Sequence, residues 1–274
     1  MGGNLYDALL GNLRDPGRAL LKEGADAVMS YGVFADRIAR LGGALLAAGM
    51  KPGDRVAVQV EKSVAALSLY LATVRAGGIF LPLNTAYTPA EIEYFLNDAQ
   101  PSLFVCDPAK LAALEPIAKK AGAAVLTLDR DGNGSLAETA ETAQPLAATS
   151  QRGGADVAAI LYTSGTTGRS KGAMLSHDNL LSNALSLVEC WRFSASDTLI
   201  HALPIFHTHG LFVATNVVLA SGAAMIFQQK FDPDQIMAAM PHATVLMGVP
   251  TFYTRLLQHP GLTRRATAHM RLFV

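Results

Sequence analysis

Polar and apolar positions in the first half of the chain switch between two periods. Phe34, Ile38, Leu41 and Leu45 recur at helical spacing and share one face, with Gly49 placed to close the helix. "KPGD" then predicts a turn into "RVAVQV", whose valines alternate as in a strand. A second helix is predicted over "VAALSLYLATVRA", stopping at Gly77 and Gly78, followed by the short apolar strand "IFLPL". In "TPAEIEYFLND", Thr88 is the N-cap, Pro89 the first helical residue and Glu91 the third, which makes a capping box. "SLFVC" and "AVLTL" are further short apolar strands on either side of an Ala/Lys-rich helix. This rhythm of strand, helix and strand predicts an α/β fold with a mostly parallel sheet and helices on its faces.

Between Asp129 and Ala155 the pattern dissolves into "DRDGNGSLAETAETAQPLAATSQRGGA", which is expected to be a surface excursion within one large unit. From Leu199 to Gln229 there is no Asp, Glu, Lys or Arg. The apolar residues there come in short blocks broken by histidines, Pro204 and glycines, so a buried strand, turn and helix is expected rather than a membrane span. The chain stops on "MRLFV", an apolar strand pattern without a polar tail, and is expected to be part of a longer protein.

Composition narrows the function classes. Half of the 274 residues are hydrophobic, enough to bury a large core. Acidic and basic residues balance at 22 each, so there is no cationic field to attract nucleic acid or a membrane surface. Cys106 and Cys190 lie far apart within apolar runs and are expected to be reduced core residues of a cytoplasmic protein. The N-terminus lacks a basic patch and apolar core for secretion, and Tyr6 stands where a myristoylation signal needs Ser or Thr.

"YTSGTTGRSKG" (162–172) cannot be a strand interior, because its glycines leave nothing to pack. Backbone N–H groups in such a loop form an anion nest suited to phosphate. Thr163, Ser164, Thr166 and Thr167 add hydroxyl donors, and Lys171 adds a mobile positive charge. The terminal phosphates of a nucleotide suit that set. It is not a Walker A loop, since Ser170 precedes Lys171 and Gly172 follows it, and it contains no G-x-G-x-x-G dinucleotide fingerprint.

"LYTSGTTGRSKGAMLSH" resembles the phosphate-binding signature of the adenylate-forming superfamily, which comprises acyl- and aryl-CoA ligases, luciferases and peptide-synthetase adenylation domains. "RAGGIFLPLNTAYTPAEIEYFLNDAQPSLFVCD" looks like its second core motif, and "LPIFHTHGL" like the aromatic/histidine motif beside the acyl pocket. One departure is Ser170, where the family usually has proline; loss of that fixed φ loosens the loop without removing a donor. The resemblance implies an α/β large N-terminal domain, with mostly parallel sheets sandwiched by helices. Residues 1–274 would be an incomplete ATP- and acyl-binding domain, ending before the small C-terminal domain. It implies that Thr163, Ser164, Gly165, Thr166, Thr167, Gly168 and Lys171 hold the β- and γ-phosphates of ATP, with the Thr163 hydroxyl a contact for Mg2+. A carboxylate then attacks the α-phosphate, and the thiol of coenzyme A displaces AMP. The adenine loop, the ribose-binding aspartate and the adenylation lysine would lie beyond Val274, so no catalytic residue is assigned and this polypeptide alone is expected not to turn over.

His207 in "FHTHG" falls where the family places an acyl-pocket residue. An extended segment would put His207 and His209 on one face, and a two-histidine zinc site there lacks a third ligand. "VPTFYTRL" resembles the malonyl-CoA synthetase branch, where the arginine matching Arg255 clamps the second carboxylate of a diacid. A planar guanidinium suits that bidentate task. Malonate is the acid expected, with methylmalonate next; a short- or medium-chain fatty acid or an aryl acid such as a cinnamate is the alternative. From other classes, a P-loop kinase lacks its lysine-Ser/Thr pair, and a non-catalytic nucleotide-binding module stays open.

Overall fold

The computed structural model describes residues 3–11, 15–163 and 170–274. In chain order its strands are β1 (Ala19–Glu23), β2 (Asp26–Ser30), β3 (Arg55–Gln59), β4 (Ile79–Pro82), β5 (Leu103–Cys106) and β6 (Ala124–Thr127). There follow β7 (Val157–Thr163), β8 (Lys171–Ser176), β9 (Thr198–His201), β10 (Ala224–Phe227), β11 (Val245–Met247) and β12 (Leu272–Phe273). Two compact units emerge, one of residues 1–11 and 35–181, the other of 12–34 and 182–274. Each has its own sheet, and in both the strands run parallel except at one edge.

The first unit orders its strands β6-β5-β3-β4-β7-β8. All neighbours are parallel except β7 and β8, which form an antiparallel hairpin. Strand burial explains the near-continuous apolar runs: all of β4 and β5 is buried, as it must be where helices cover both faces. Helix Val64–Arg75 is buried from Ala65 through Val74, and the Ser63 side chain caps it by accepting from the Ala66 N–H. Helix Pro89–Ala99 carries the predicted capping box and buries Ile92, Phe95, Leu96 and Ala99 in a core with Leu81, Phe104 and Leu114.

The 129–155 segment is more ordered than its composition predicts. Helix Ser135–Thr142 stands inside it with Leu136 and Ala140 buried. Beyond that helix the chain straps across helix Tyr31–Ala47, where the Leu146 N–H donates to the Ala39 carbonyl. A Cβ at Gly43 would lie 2.1 Å from the Gln144 carbonyl oxygen, so only glycine admits this close crossing. The excursion is therefore packed into the first unit.

The second unit orders its strands β12-β11-β9-β10-β1-β2, with β1 and β2 the antiparallel edge. Ile200, Ile226, Ile236, Met240, Leu246 and Leu256 form a core on it. The charge-free 199–229 stretch resolves into the expected strand, turn and helix, followed by a further strand, β10, and among the described residues no helix is long and apolar enough to cross a membrane. Cys106 is buried, but Cys190 at the end of helix His177–Cys190 is exposed, contrary to expectation. An apolar neighbourhood in sequence does not say which face of a helix a residue occupies.

Strand β12 is fastened by charge. Arg271 donates from Nε and a terminal nitrogen to the two Asp197 oxygens, both at 2.7 Å, and also reaches the Trp191 and Arg192 carbonyls. Asp197 is 3% exposed. Burial alone would raise its carboxyl, but the hydrogen bonds from Arg271, Thr244 and the Ser194 N–H outweigh that and hold it below the usual carboxylate value. A second buried group works in the opposite direction. His177, 1% exposed, accepts the Leu5 N–H at Nδ1, so its proton sits on Nε2, which is buried without a partner among the described residues. Burial first, then the nearby Arg152, depress its pKa, against the opposing charges of Asp156 and Asp178.

Two outcomes are expected. Arg271→Ala strands a buried carboxylate and should lower stability by about 2–4 kcal/mol, the figure for a fully buried pair being discounted because Arg271 stays partly in water. Arg271→Lys, which cannot fork onto both oxygens, should recover only part of that on chemical denaturation. For His177 the folded pKa lies below the unfolded value of about 6.5, so the unfolded chain takes the proton first. Stability contributed by neutral His177 is present above that pH and lost as pH falls towards the folded pKa. Thermal midpoints between pH 7.5 and 5, on the order of the histidine range, should fall less steeply in His177→Gln.

Candidate functional site

The phosphate-loop expectation falls partly on residues outside the described set: Ser164, Gly165, Thr166, Thr167 and Gly168 are among these, whereas Thr163, Ser170 and Lys171 are described. Strand β7 ends at Thr163 and β8 starts at Lys171, and these two residues are register partners across the antiparallel ladder. Direct cross-strand partners have Cβ atoms about 5 Å apart. The Thr163 hydroxyl and Lys171 ammonium therefore start from neighbouring backbone positions, and both residues are exposed. A hydroxyl oxygen is a hard donor suited to magnesium, and an ammonium suits phosphate, so both rims fit a nucleotide's metal-bound phosphates.

Helix Pro89–Ala99 braces both rims. Tyr162, beside Thr163, donates its phenolic hydrogen to Asp98 Oδ2 at 2.5 Å. Tyr94 donates to the carbonyl of Ser170, beside Lys171, at 2.8 Å. Phe95 packs on Tyr162 with ring centroids 4.6 Å apart, and Tyr87 and Tyr94 pack on Phe95 at 4.8 and 5.3 Å. Burial, then the Asp98 hydrogen bond and charge, raise the Tyr162 pKa, so this phenol stays a donor. None of these side chains is singled out by the sequence. The only signal is that Tyr94 and Asp98 stand four apart on the capped helix, on one face.

His207 and Arg255 belong to the second unit. The histidine segment is not extended, which removes the shared face expected of His207 and His209. It turns at His207 and enters a π-helix, His209–Thr215, which continues as helix Asn216–Ser221. Two features hold the chain in this form. A Cβ at Gly210 would lie 2.0 Å from the Pro204 carbonyl oxygen, so the turn needs glycine. The Gly210 carbonyl then accepts from the buried His201 Nε2–H at 2.9 Å and from the Thr215 hydroxyl at 3.1 Å. π-Helical turns are uncommon and cluster at functional sites. His207 is exposed, its ring 4.6 Å from that of Phe206, while His209 is half-buried. Partial burial depresses both pKa values, so both rings are neutral at pH 7, roughly half a unit above the ordinary imidazole value. Among the described residues no group of three His, Cys, Asp or Glu side chains could hold a metal ion.

Helix Pro250–Leu257 begins on Pro250, whose fixed φ and missing N–H suit the first helical position. Phe252 stacks on Phe231 with centroids 3.9 Å apart, and the exposed Arg255 guanidinium stands 5.0 Å from the same Phe231 ring. The two helix residues, three apart, thus share a face, and both meet Phe231. A cation over an aromatic face is restrained yet keeps its N–H donors available at its edge.

Comparison with known proteins places this geometry. The family model described as AMP-binding enzyme matches residues 12–274. A feruloyl-CoA synthase of an Amycolatopsis species is 32% identical over 247 residues, covering 89% of this chain and 48% of its own length. A mitochondrial malonate–CoA ligase of Homo sapiens is 33% identical over 190 residues, covering 67% of this chain and 32% of its own. The crystal structure of ATP-bound MatB from Rhodopseudomonas palustris superposes with a TM-score of 0.96 at 59% identity, over all of this chain and 54% of that one. The chain thus spans about half or less of the length of these relatives.

Proposed function

The chain belongs to the AMP-binding enzyme family, and on that footing we propose that it is the ATP- and acid-binding part of an AMP-forming acid–CoA ligase whose acid is malonate. The observation that carries the reading is the pairing of Thr163 with Lys171 at the two ends of a glycine- and hydroxyl-rich loop. ATP bound to a relative 59% identical supports the same ligand here. In the reaction a carboxylate oxygen bonds to the α-phosphorus as the bond to the β-phosphate oxygen breaks, releasing pyrophosphate. The coenzyme A sulfur then bonds to the acyl carbon and AMP leaves. Two anions must meet in the first step, and charge then moves onto pyrophosphate. Lys171 offsets that repulsion with a fixed positive charge. Magnesium, when bound, supplies further positive charge at the phosphates, and among the described residues the Thr163 hydroxyl is an oxygen that would fit it.

Malonate is favoured by Arg255. A monocarboxylate uses its only charge in the reaction and leaves a guanidinium without a partner. A diacid places its second carboxylate against the fork. Methylmalonate offers the same second charge. The likeness to a malonate–CoA ligase supports this, whereas the likeness to a feruloyl-CoA synthase supports an aryl acid as the second reading.

The full-length protein, incubated with ATP, coenzyme A and malonate, methylmalonate, a medium-chain fatty acid or a hydroxycinnamate, should release AMP fastest with malonate. Failure to release AMP with any of these acids would make it a non-catalytic nucleotide-binding module. Lys171→Ala should cost about a hundredfold in kcat/KM with every acid, because it acts on the phosphates. Arg255→Ala should cost about 30-fold or more with malonate and little with a monocarboxylate. Equal losses on both acids would refute the diacid assignment and leave the ligase assignment standing.

A further inference from the structure

The contacts between helix Pro89–Ala99 and the β7–β8 hairpin have a consequence for nucleotide affinity. We propose that Tyr94 and Asp98 are positioning residues for ATP: by gripping Ser170 and Tyr162 they fix where Lys171 and Thr163 stand. The inference rests on Lys171 and Thr163 meeting ATP, as proposed above, and not on the identity of the acid.

The helix is a rigid support. Its first turn is locked by the reciprocal Thr88 and Glu91 hydrogen bonds, and Ile92, Phe95, Leu96 and Ala99 are buried in the core of the first unit. Tyr94 and Asp98 stand one turn apart at the edge of that buried face, which is the spacing needed to reach two neighbouring strands. Each grips the residue next to a functional one. The Tyr162 ring is held by Asp98 on its hydroxyl and by Phe95 on its side, so the backbone leading to Thr163 is fixed from outside the ladder. On the returning strand, Tyr94 holds the Ser170 carbonyl, which belongs to the same planar peptide as the Lys171 N–H. Orienting that peptide aims the backbone from which the lysine side chain leaves.

Ser170 gives this grip its purpose. A proline there would stiffen the loop end by fixing φ, whereas serine leaves φ free. The Tyr94 hydroxyl supplies from a side chain the restraint that the local backbone lacks. Pure packing would use the same rings without the hydroxyls, so removing one oxygen atom separates the two roles.

Full-length protein carrying Tyr94→Phe, Tyr162→Phe, Ser170→Pro or the pair Tyr94→Phe/Ser170→Pro tests this, with ATP affinity read by calorimetric titration without acid. KM for ATP and for the acid, kcat and the thermal midpoint are read in parallel. Tyr94→Phe should weaken ATP binding by about three- to tenfold, the loss of one neutral hydrogen bond, and Tyr162→Phe, which loses a charge-assisted one, by about tenfold or more, each with acid KM changed by less than about twofold. In the Ser170→Pro background, Tyr94→Phe should change ATP affinity by less than about twofold, since proline supplies the restraint. Unchanged ATP affinity in both Phe variants overturns the proposal. So does a loss spread equally over ATP and acid with a lowered thermal midpoint, which marks packing alone. A parent that binds ATP but releases no AMP with any acid removes the ligase reading only, and the titration still decides. A parent that does not bind ATP overturns both.

Discussion

A parallel sheet that ends in one antiparallel strand is the constraint on which the candidate nucleotide site depends. In β3, β4, β5 and β6 the chain leaves the sheet at one end and re-enters at the other, so loop ends lie a full strand length apart. Among the described residues of this unit, only at β7 and β8 does it turn back on itself, and only there do both ends of one loop meet as register partners. A hydroxyl and an ammonium thereby start from neighbouring backbone positions without long-range assembly. The position is also exposed to strain. β8 is an edge strand, solvent-facing over its first residues, and has ladder partners on one side only. Bracing from helix Pro89–Ala99 supplies from side chains what a second neighbouring strand would have supplied from backbone.

Much of this was legible in the sequence because the signals are local. The capping box at Thr88 and Glu91 is a matter of three residues, and it appears as predicted. β3, β4 and β5 announce themselves by short apolar runs between turn residues, which is what strands covered on both faces look like, and the edge strand β6 shows the same run although it is only partly buried. The hairpin flanks are similarly local, with an apolar strand entering a glycine-rich loop and another strand leaving it.

What escaped notice is tertiary or too short. Tyr94 meets Ser170 across 76 residues, and Tyr162 meets Asp98 across 64, and no local pattern encodes either pairing. Helix Ser135–Thr142 anchors itself with Leu136 and Ala140 amid polar residues, too few apolar positions to establish a period. The π-helix at His209 depends on Gly210 lying against the Pro204 carbonyl, a contact that the letters "PIFHTHG" do not display. Arg255 was legible as a residue but not as a geometry, because Phe231 approaches from outside its helix.

Charge and neutrality are divided within the second unit in a way that bears on the acid. Partial burial keeps His207 and His209 uncharged at neutral pH, so either can donate or accept a hydrogen bond but neither offers a full charge to a carboxylate. Arg255 presents a guanidinium cation, and the Phe231 ring supports that charge without neutralising it. A carboxylate given the choice gains more from the guanidinium than from a neutral imidazole, because a charge-assisted bidentate pair is roughly twice as strong as a neutral hydrogen bond. Of these basic side chains in the second unit, Arg255 is therefore the one able to offer a carboxylate a charge-assisted bidentate pair, while His207 and His209 can each offer single hydrogen bonds.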